Sequence, residues 1–290
     1  MEMGPINPAC SITIKNLDKH TMVVFPNAKI NIGLHITQKR SDGYHNVESC
    51  FYPIDWTDAL EIAPSERLTC TISGMEVPGN VMDNLCIRAY HLLRADYNLP
   101  PIDLHLLKAI PIGAGLGGGS ADATFTLKAL NKLEQLNLSE EALIQYARQL
   151  GSDCAFFVKN KPVFSFHKGD EFEPMDLSLK GRWIAVINPG IHISTAEAYA
   201  GIRPRRPACD LRDILKTPIQ EWKDQVINDF EAPLARKHPT IAQIKAQLYE
   251  AGALYASMTG SGSTVYGFFE NETNFYSSFV NYNSWYGIMK

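Results

Sequence analysis

The chain has 290 residues, of which 45% are hydrophobic and 20% are charged. This is the usage of an ordinary globular protein of one or two domains, and it excludes disordered and fibrous classes. The formal net charge of -4 gives no general attraction to nucleic acid or to an anionic membrane, so any phosphate-binding site must be local.

The cysteines and the N-terminus bear on where the protein resides. The six cysteines are dispersed, with no CxxC pair and no histidine at metal-ligand spacing, which is typical of reduced thiols in the cytoplasm. No apolar run approaches the roughly 18 residues of a membrane span, and the N-terminus lacks a signal-peptide layout. Residues 1–21 form a polar lead-in, which we expect to be dispensable, before the apolar pattern that begins at Met22. We expect a cytoplasmic protein with neither nucleic-acid nor membrane partners.

Strand and helix patterns are mixed along the chain without regular βαβ alternation, which favours an α+β fold of two lobes. In chain order, the periodicity of the first half predicts strands at 28–36 and 47–54 joined as a hairpin, a helix at 84–93, a strand at 104–110, and helices from about 120 and over 139–150. In the second half it predicts strands at 163–166 and 183–187, a helix around 241–248 and a strand at 265–269. Ser120 is predicted near an N-cap, with Asp122 in the first helical turn.

A glycine-rich segment, PIGAGLGGGSAD at 111–122, leads from a predicted strand into that helix. Such a segment brings several backbone N–H groups and the positive end of a helix dipole to one point, where phosphate can bind. The alternative is a tight turn that only packs the strand on the helix. Five glycines within the seven residues 113–119 sacrifice more backbone entropy than a plain turn requires, so we favour a phosphate site.

Two common phosphate-loop motifs fit this segment poorly. A Walker A loop requires a lysine where this chain has Gly119. Gly113, Gly115 and Gly118 match the dinucleotide pattern GxGxxG, but that motif opens a βαβ unit, whereas a second helix follows here.

The loop instead resembles the phosphate loop of the GHMP kinases, whose typical form is PxxxGLGxSSA. Two more segments stand in that family's order, because PNAKIN at 26–31 is similar to its N-terminal motif and TGSGST at 259–264 to its C-terminal glycine motif. The resemblance implies a two-lobed α+β kinase with ATP on the N-terminal lobe and the active site in the cleft between the lobes. We place the lobes at 22–160 and 161–290.

Five further segments are similar to the diphosphocytidyl-methylerythritol kinases within that family. They are DGYH at 42–45, DNL at 83–85, GSD at 151–153, NPG at 188–190 and NDFE at 228–231. This narrower resemblance implies that ATP phosphorylates the 2-hydroxyl of a cytidine diphosphate-linked methylerythritol, in the non-mevalonate route to isoprenoid precursors. A mevalonate or homoserine kinase and a nucleotide-binding module without catalysis are the alternatives. Departures at Ala121, Cys154 and Ala155 affect fine loop geometry rather than the implied catalytic groups.

Two residues are implied to carry the chemistry. By resemblance, Asp153 accepts the proton of the substrate hydroxyl and Lys29 steadies the transferring phosphoryl group, since phosphoryl transfer relies on positioning and charge stabilisation. From the residues alone, Asp153 is equally interpretable as a helix N-cap after Gly151, and Lys29 as a solvated lysine on a strand.

The nucleotide side is implied to comprise the glycine loop and two outlying residues. A helix cap is the alternative for Asn84, and a surface strand lysine is the alternative for Lys108. Magnesium is expected with ATP, and Ser120 is the one candidate protein ligand, with no dedicated metal site predicted. The residues implied to bind ATP are Asn84, Lys108, Pro111, Gly113, Gly115, Leu116, Gly117, Gly118, Gly119 and Ser120.

Five residues are implied to contact the substrate. Tyr44 and His45 match cytidine-recognition positions, since an aromatic ring can stack on a pyrimidine. Thr195 and Tyr199 match the far side of the same pocket, and Asn31 matches a contact near the catalytic lysine. The alternatives are an exposed hairpin turn for the first pair, ordinary packing for the second pair and a surface strand position for Asn31.

Overall fold

The computed structural model describes residues 21–273 and 276–290, so all of the predicted lead-in except Thr21 lies outside the described residues. The strands are β1 Met22–Val24, β2 Asn27–Lys39, β3 His45–Thr57, β4 Ala59–Pro64, β5 Thr69–Gly74, β6 Ile102–Lys108, β7 Val163–Phe166, β8 Glu171–Pro174, β9 Trp183–Asn188, β10 Tyr255–Met258, β11 Val265–Phe269 and β12 Asn283–Ile288. The helices are α1 Leu85–Asp96, α2 Gly118–Leu133, α3 Glu140–Leu150, α4 Phe156–Lys159, α5 Thr195–Ala200, α6 Leu211–Ile214, α7 Glu231–Lys237 and α8 Pro239–Glu250. Short 3-10 turns lie at Val81–Asp83, Ile219–Glu221 and Tyr276–Phe279.

The described strands form sheets with the orders β1-β4-β6-β5, β2-β3-β7-β8 and β10-β11-β9-β12. Strands β5 and β6 are parallel, and the connection between them contains α1, because parallel neighbours require a crossover. The other paired strands are antiparallel. This mixture of helices and largely antiparallel sheets confirms the predicted α+β class.

The predicted β-hairpin is β2 paired antiparallel with β3. Ile30 and Ile32 enter a core shared with the C-terminal part of the chain, while the alternate positions carry polar side chains. The register shifts around Gly33, whose φ of +69° favours glycine. A Cβ there would lie 2.7 Å from Leu211 Cδ1, so the backbone passes close to α6 only because the side chain is absent.

Helices α1, α2 and α3 pack against the sheet β1-β4-β6-β5. Their core includes Tyr90, Leu104, Leu127 and Leu143, all buried. Strand β6 alternates strictly between buried and exposed positions, so its inward row contacts the helices. This layer holds the start of α2, where the glycine loop ends.

The sheet β10-β11-β9-β12 packs against α7 and α8, with Trp183, Ile244, Leu248 and Phe269 in the core between them. The predicted helix around 241–248 and the strand at 265–269 are confirmed as α8 and β11. Within the described residues, none of the helices combines the length and the apolar character needed to cross a membrane.

One predicted boundary is wrong. Helix α2 begins at Gly118, with Gly117 as its N-cap in the left-handed conformation, so Ser120 is the third helical residue and Asp122 lies beyond the first turn. The glycines adopt helical angles as readily as turn angles, so the helix extends back into the loop. The division at residues 160 and 161 stays a prediction; β7, which follows it, pairs with β3, which precedes it.

Candidate active site

The PNAKIN and TGSGST segments both contact the glycine loop. Lys29 N–H donates to the Leu116 carbonyl at 2.9 Å, and the Thr259 hydroxyl donates to the Gly115 carbonyl at 3.1 Å. The same hydroxyl accepts the Asn31 N–H at 2.9 Å. A Cβ on Gly115, which has a φ of +78°, would lie 2.2 Å from the Thr259 carbonyl oxygen. Glycine is therefore required where the glycine loop crosses the TGSGST segment.

Lys29 is buried beneath this crossing, with 3% of its surface exposed. Its ammonium group contacts Asn31 Oδ1 at 2.5 Å, the Gly115 carbonyl at 3.2 Å and Asp153 Oδ2 at 3.3 Å, and it lies over the ring of Phe51. The interpretation of Lys29 as a solvated strand lysine is wrong. A buried ammonium with these partners is a fixed positive charge behind the loop.

Asp153 lies in the turn between α3 and α4, and 31% of its side chain is exposed. It does not cap α4, whose N-cap is Ala155 without a side-chain hydrogen bond. The Thr124 hydroxyl lies 2.8 Å from the Cys154 carbonyl and 2.9 Å from the Ser120 carbonyl, which fixes this turn against α2. The carboxylate is thus presented to the cavity in front of Lys29.

A cavity of about 690 Å³ lies over the glycine loop. The start of α2 opens into it, and α2 has no side-chain cap, so its first N–H groups are available to an anion at the positive end of the helix dipole. Eleven of the predicted site residues line the cavity: Asn84, Lys108, Pro111, Gly113, Gly115, Gly117, Gly118, Gly119, Ser120, Asp153 and Thr195. Leu116 is buried, and its backbone supports Lys29.

Lys108 lies on the inward row of β6, where the alternation would place an apolar residue, and it is 4% exposed. The surface-lysine interpretation is therefore wrong. Its ammonium bonds to Asp58 and, at 2.8 Å, to Asp122. Burial opposes the charged form of this lysine, but Asp122 and Asp58 together outweigh it and raise the pKa of the ammonium. Burial also raises the pKa of Asp122, whose Oδ1 lacks a hydrogen-bond partner among the described residues.

Asn84 and Asn31 lie near the glycine loop, and the side chain of each also makes hydrogen bonds within the fold. Asn84 caps α1 by accepting the Cys86 N–H at 2.9 Å and also lines the cavity, so the cap and the pocket position coexist. Asn31 is 2% exposed, and its amide donates to Ser49 at 2.8 Å while accepting from Lys29. It is not a surface residue, and its assignment as a substrate contact stays a prediction.

Of the remaining predicted substrate residues, Thr195 and Tyr199 lie on α5 and His45 packs against it. The His45 ring stacks on Tyr199 at a centroid distance of 4.6 Å and an interplanar angle of 22°, while Tyr44 is 63% exposed beside the Lys168 ammonium. Burial, with a smaller effect of Lys39, lowers the pKa of the His45 imidazole, so the ring is neutral near pH 7. Thr195 lies one helical turn from Tyr199, so α5 connects the glycine-loop cavity to this aromatic stack.

Sequence reasoning missed several residues of the site. Asp58 and the cavity residue His192 were not predicted, and Ser261 was predicted only as part of the TGSGST segment, without a role of its own. The His192 ring lies near Gly113, 3.2 Å from where a Cβ would be, and the only signal for it was its position beside the NPG segment. Within the part of the chain that the structure describes, no group of three His, Cys, Asp or Glu side chains could hold a metal ion.

The chain is similar to known protein families and to individual kinases. The family models for the GHMP kinases N terminal domain and the GHMP kinases C terminal match residues 84–161 and 215–277. The 4-diphosphocytidyl-2-C-methyl-D-erythritol kinase of Bacteroides thetaiotaomicron is 54% identical over 255 residues, which cover 87% of this chain and 93% of that protein. The chain belongs to the 4-diphosphocytidyl-2-C-methyl-D-erythritol kinases, a branch of the GHMP kinases.

Other members and neighbours of this family extend the finding. The kinase of the same name from Cytophaga hutchinsonii is 50% identical, with 87% and 93% of the two chains covered. A crystal structure of a 4-(cytidine 5'-diphospho)-2C-methyl-D-erythritol kinase superposes with a TM-score of 0.77 at 28% identity, covering 92% of this chain and 98% of that one. The Methanococcus jannaschii mevalonate kinase, at 14% identity and a TM-score of 0.67 over 94% and 100% of the chains, shares the fold.

Proposed function

We propose that this protein transfers the γ-phosphoryl group of ATP to the 2-hydroxyl of 4-diphosphocytidyl-2-C-methyl-D-erythritol, giving the 2-phosphate and ADP. The observation that carries the proposal is the Lys29–Asp153 ion pair, at 3.3 Å, beside a glycine loop that opens a helix into the same cavity. The names of the relatives support this substrate over mevalonate or homoserine.

The transfer is direct. The substrate hydroxyl oxygen forms a bond to the γ-phosphorus, the bond from that phosphorus to the β,γ-bridging oxygen breaks, and ADP leaves with the electron pair. Asp153 accepts the hydroxyl proton, while the N–H groups at the start of α2 and the Lys29 ammonium stabilise charge on the phosphoryl oxygens. The buried position of Lys29 holds its charge in place without reorganisation during the reaction.

ATP and magnesium fit the lining of the cavity. Ser120 lines it, so a magnesium ion that arrives with the nucleotide would find the hydroxyl predicted as its one protein ligand, and nucleotide oxygens with water would supply its other ligands. When bound, magnesium neutralises charge on the phosphates. Asn84 and Lys108 are proposed for the nucleoside end of this cavity.

The cytidine end of the substrate is proposed to bind at the aromatic stack of His45 and Tyr199, with Tyr44 beside it. The neutral imidazole can both donate and accept a hydrogen bond, as the polar edge of cytosine requires. Because α5 carries both Thr195 and Tyr199, the diphosphate can run along this helix from the base toward Asp153. A cytoplasmic location, without nucleic-acid or membrane partners, remains part of the proposal.

The test is ADP release from ATP and magnesium with the cytidyl substrate, run beside mevalonate and homoserine under the same conditions. Selective turnover of the cytidyl compound is the expected result. Turnover of another alcohol would overturn the proposed substrate, and nucleotide binding without any ADP release would favour a non-catalytic module.

A further inference from the structure

The NDFE segment at 228–231 contacts the TGSGST segment at 259–264 rather than lining the cavity. Asn228 is 2% exposed, and its side-chain amide donates to the Met258 carbonyl at 2.7 Å and to the Gly260 carbonyl at 2.9 Å. Its Oδ1 accepts the Phe230 N–H at 3.0 Å. Both amide donors are therefore used to hold the carbonyls on either side of Thr259.

The opposite side of this segment is fixed to the strand that carries Lys29. Leu34 N–H donates to the Ile227 carbonyl at 2.9 Å, and Asp229 N–H donates to the Leu34 carbonyl at 2.8 Å. Asp229 Oδ2 also accepts the Ile36 N–H at 2.8 Å. Asn228 thus forms an isolated parallel β-bridge with Leu34, at the edge of β2.

Thr259 is linked to the Lys29 ammonium through two shared neighbours, Gly115 and Asn31. Its hydroxyl donates to the Gly115 carbonyl and accepts the Asn31 N–H, and both Gly115 and Asn31 also contact Lys29 Nζ. The backbone beyond it includes Gly260 and Gly262, with φ of +56° and +88°, which restrain the loop little by themselves. The Asn228 amide supplies restraint that these glycines lack.

We propose that Asn228 is a positioning residue for phosphoryl transfer: it holds Thr259 at a fixed distance from β2 and thereby sets the Lys29 ammonium against Asp153. The inference rests on the proposed function, because its kinetic consequence is defined for that reaction. A displacement of about 1 Å in a catalytic group can reduce the rate by about 100-fold, so loss of this clamp affects turnover more than binding.

Asn188 provides a matched control. It is 4% exposed, its Oδ1 accepts the Gly190 N–H at 3.0 Å, and its amide donates to Thr264 Oγ1 at 2.9 Å. Asn228 and Asn188 are therefore two buried asparagines with the same local turn, but only Asn228 holds the carbonyls that flank Thr259. Asn228→Asp and Asn188→Asp each keep the side-chain shape and replace the NH2 donor with an oxygen.

The experiment compares kcat, both KM values and Tm for the wild type, Asn228→Asp and Asn188→Asp. We expect kcat to fall about 10- to 100-fold in Asn228→Asp, with both KM values within about 3-fold of wild type. We expect Asn188→Asp to keep kcat within about 3-fold at a similar loss of Tm. An unchanged kcat in Asn228→Asp, or an equal loss in both variants, would overturn the proposal.

Amide hydrogen exchange separates this inference from the proposed function. The Asn31 N–H, which donates to Thr259, should exchange faster in Asn228→Asp but not in Asn188→Asp, whatever substrate the enzyme uses. Unchanged exchange at Asn31 would refute the clamp, whereas absent turnover in the wild type would refute the proposed function and leave the clamp to be judged by exchange alone. If Asn228→Asp does not fold, Asn228→Ser replaces it, because serine retains one hydrogen-bond donor. Asn228→Ser should then show an intermediate loss of kcat, and full activity of this variant would contradict the inference.

Discussion

Lys29 Nζ lies 3.3 Å from Asp153 Oδ2, and the two partners differ in exposure, with side chains 4% and 31% accessible. The acid faces the cavity, and the cation lies behind it. Asp153 can therefore receive a proton from a bound hydroxyl, while Lys29 remains a fixed counter-charge.

Asp153→Asn should remove the proton acceptor while preserving the shape of the turn. We expect kcat to fall by about 10²- to 10⁴-fold, with the Kd for ATP within about 3-fold of wild type. Steady-state turnover and nucleotide titration measure the two quantities, and the neighbouring exposed Ser152→Ala serves as the control. Near-normal turnover in Asp153→Asn would show that another group accepts the proton.

The Tyr199 ring should contribute to binding of the cytidyl substrate and not to binding of ATP. Tyr199→Leu removes the aromatic face that His45 now covers, and Tyr199→Phe keeps it. Because stacking on a base contributes about 1–3 kcal/mol, we expect Tyr199→Leu to raise the KM for the cytidyl substrate about 10-fold and Tyr199→Phe to change it little. An equal rise in the KM for ATP would contradict the assignment.

Gly115 and Gly119 should respond oppositely to a methyl group. Alanine at Gly115 would meet the Thr259 carbonyl and would need a φ of +78°, whereas at Gly119 the nearest atom is 3.7 Å away. We expect Gly115→Ala to lower Tm by about 4 °C or more. Gly119→Ala, within α2, should leave Tm unchanged or raise it. Thermal unfolding of both variants checks this, and equal Tm values would argue against the close approach of the two loops.

Asp122 should make the stability of the protein depend on pH. Its ordinary pKa of 3.8 applies to the unfolded chain, whereas burial, against the opposing effect of Lys108, raises the pKa to about 7 in the folded protein. Between these values the folded state holds a proton that the unfolded state has released, so the contribution of this carboxyl to the free energy of unfolding falls as pH rises.

Asp122→Asn removes this titration and leaves Lys108 paired with Asp58. The Tm of the variant relative to wild type should therefore increase from pH 5 to pH 8, since only the wild type loses the favourable proton. Thermal unfolding at several pH values measures the difference. A difference that does not increase over this range would show that folding does not raise the pKa of Asp122.

Local features of the fold were predictable because they depend on short-range periodicity. The alternation of Ile30 and Ile32 with polar residues gave the hairpin, and Ser139 with Gly151 marked the ends of α3. The start of α2 was misplaced, because glycine has no side-chain preference from which to locate a boundary.

The burial of the site residues was not predictable from the residues alone. Lys29 lies on the polar row of its strand pattern, and Lys108 carries a charge where its strand pattern places an apolar residue, so neither pattern by itself indicates a buried lysine. The carboxylates that compensate Lys108 come from the β3–β4 turn and α2. Only tertiary packing determines such pairs. Family resemblance, rather than local pattern, identified Asp153, because the turn that contains it has no periodicity.

The contact between Thr259 and Gly115 also bears on how the protein acquires its active conformation. The two residues are 144 positions apart, and β7 must reach β3 from beyond residue 160. Contacts at such sequence separation form slowly, because a long loop must close before they contribute any stability. On a ribosome the phosphate loop therefore stays without its final support until almost the whole chain has emerged, so a truncated product that ends before β10 should lack the supported loop.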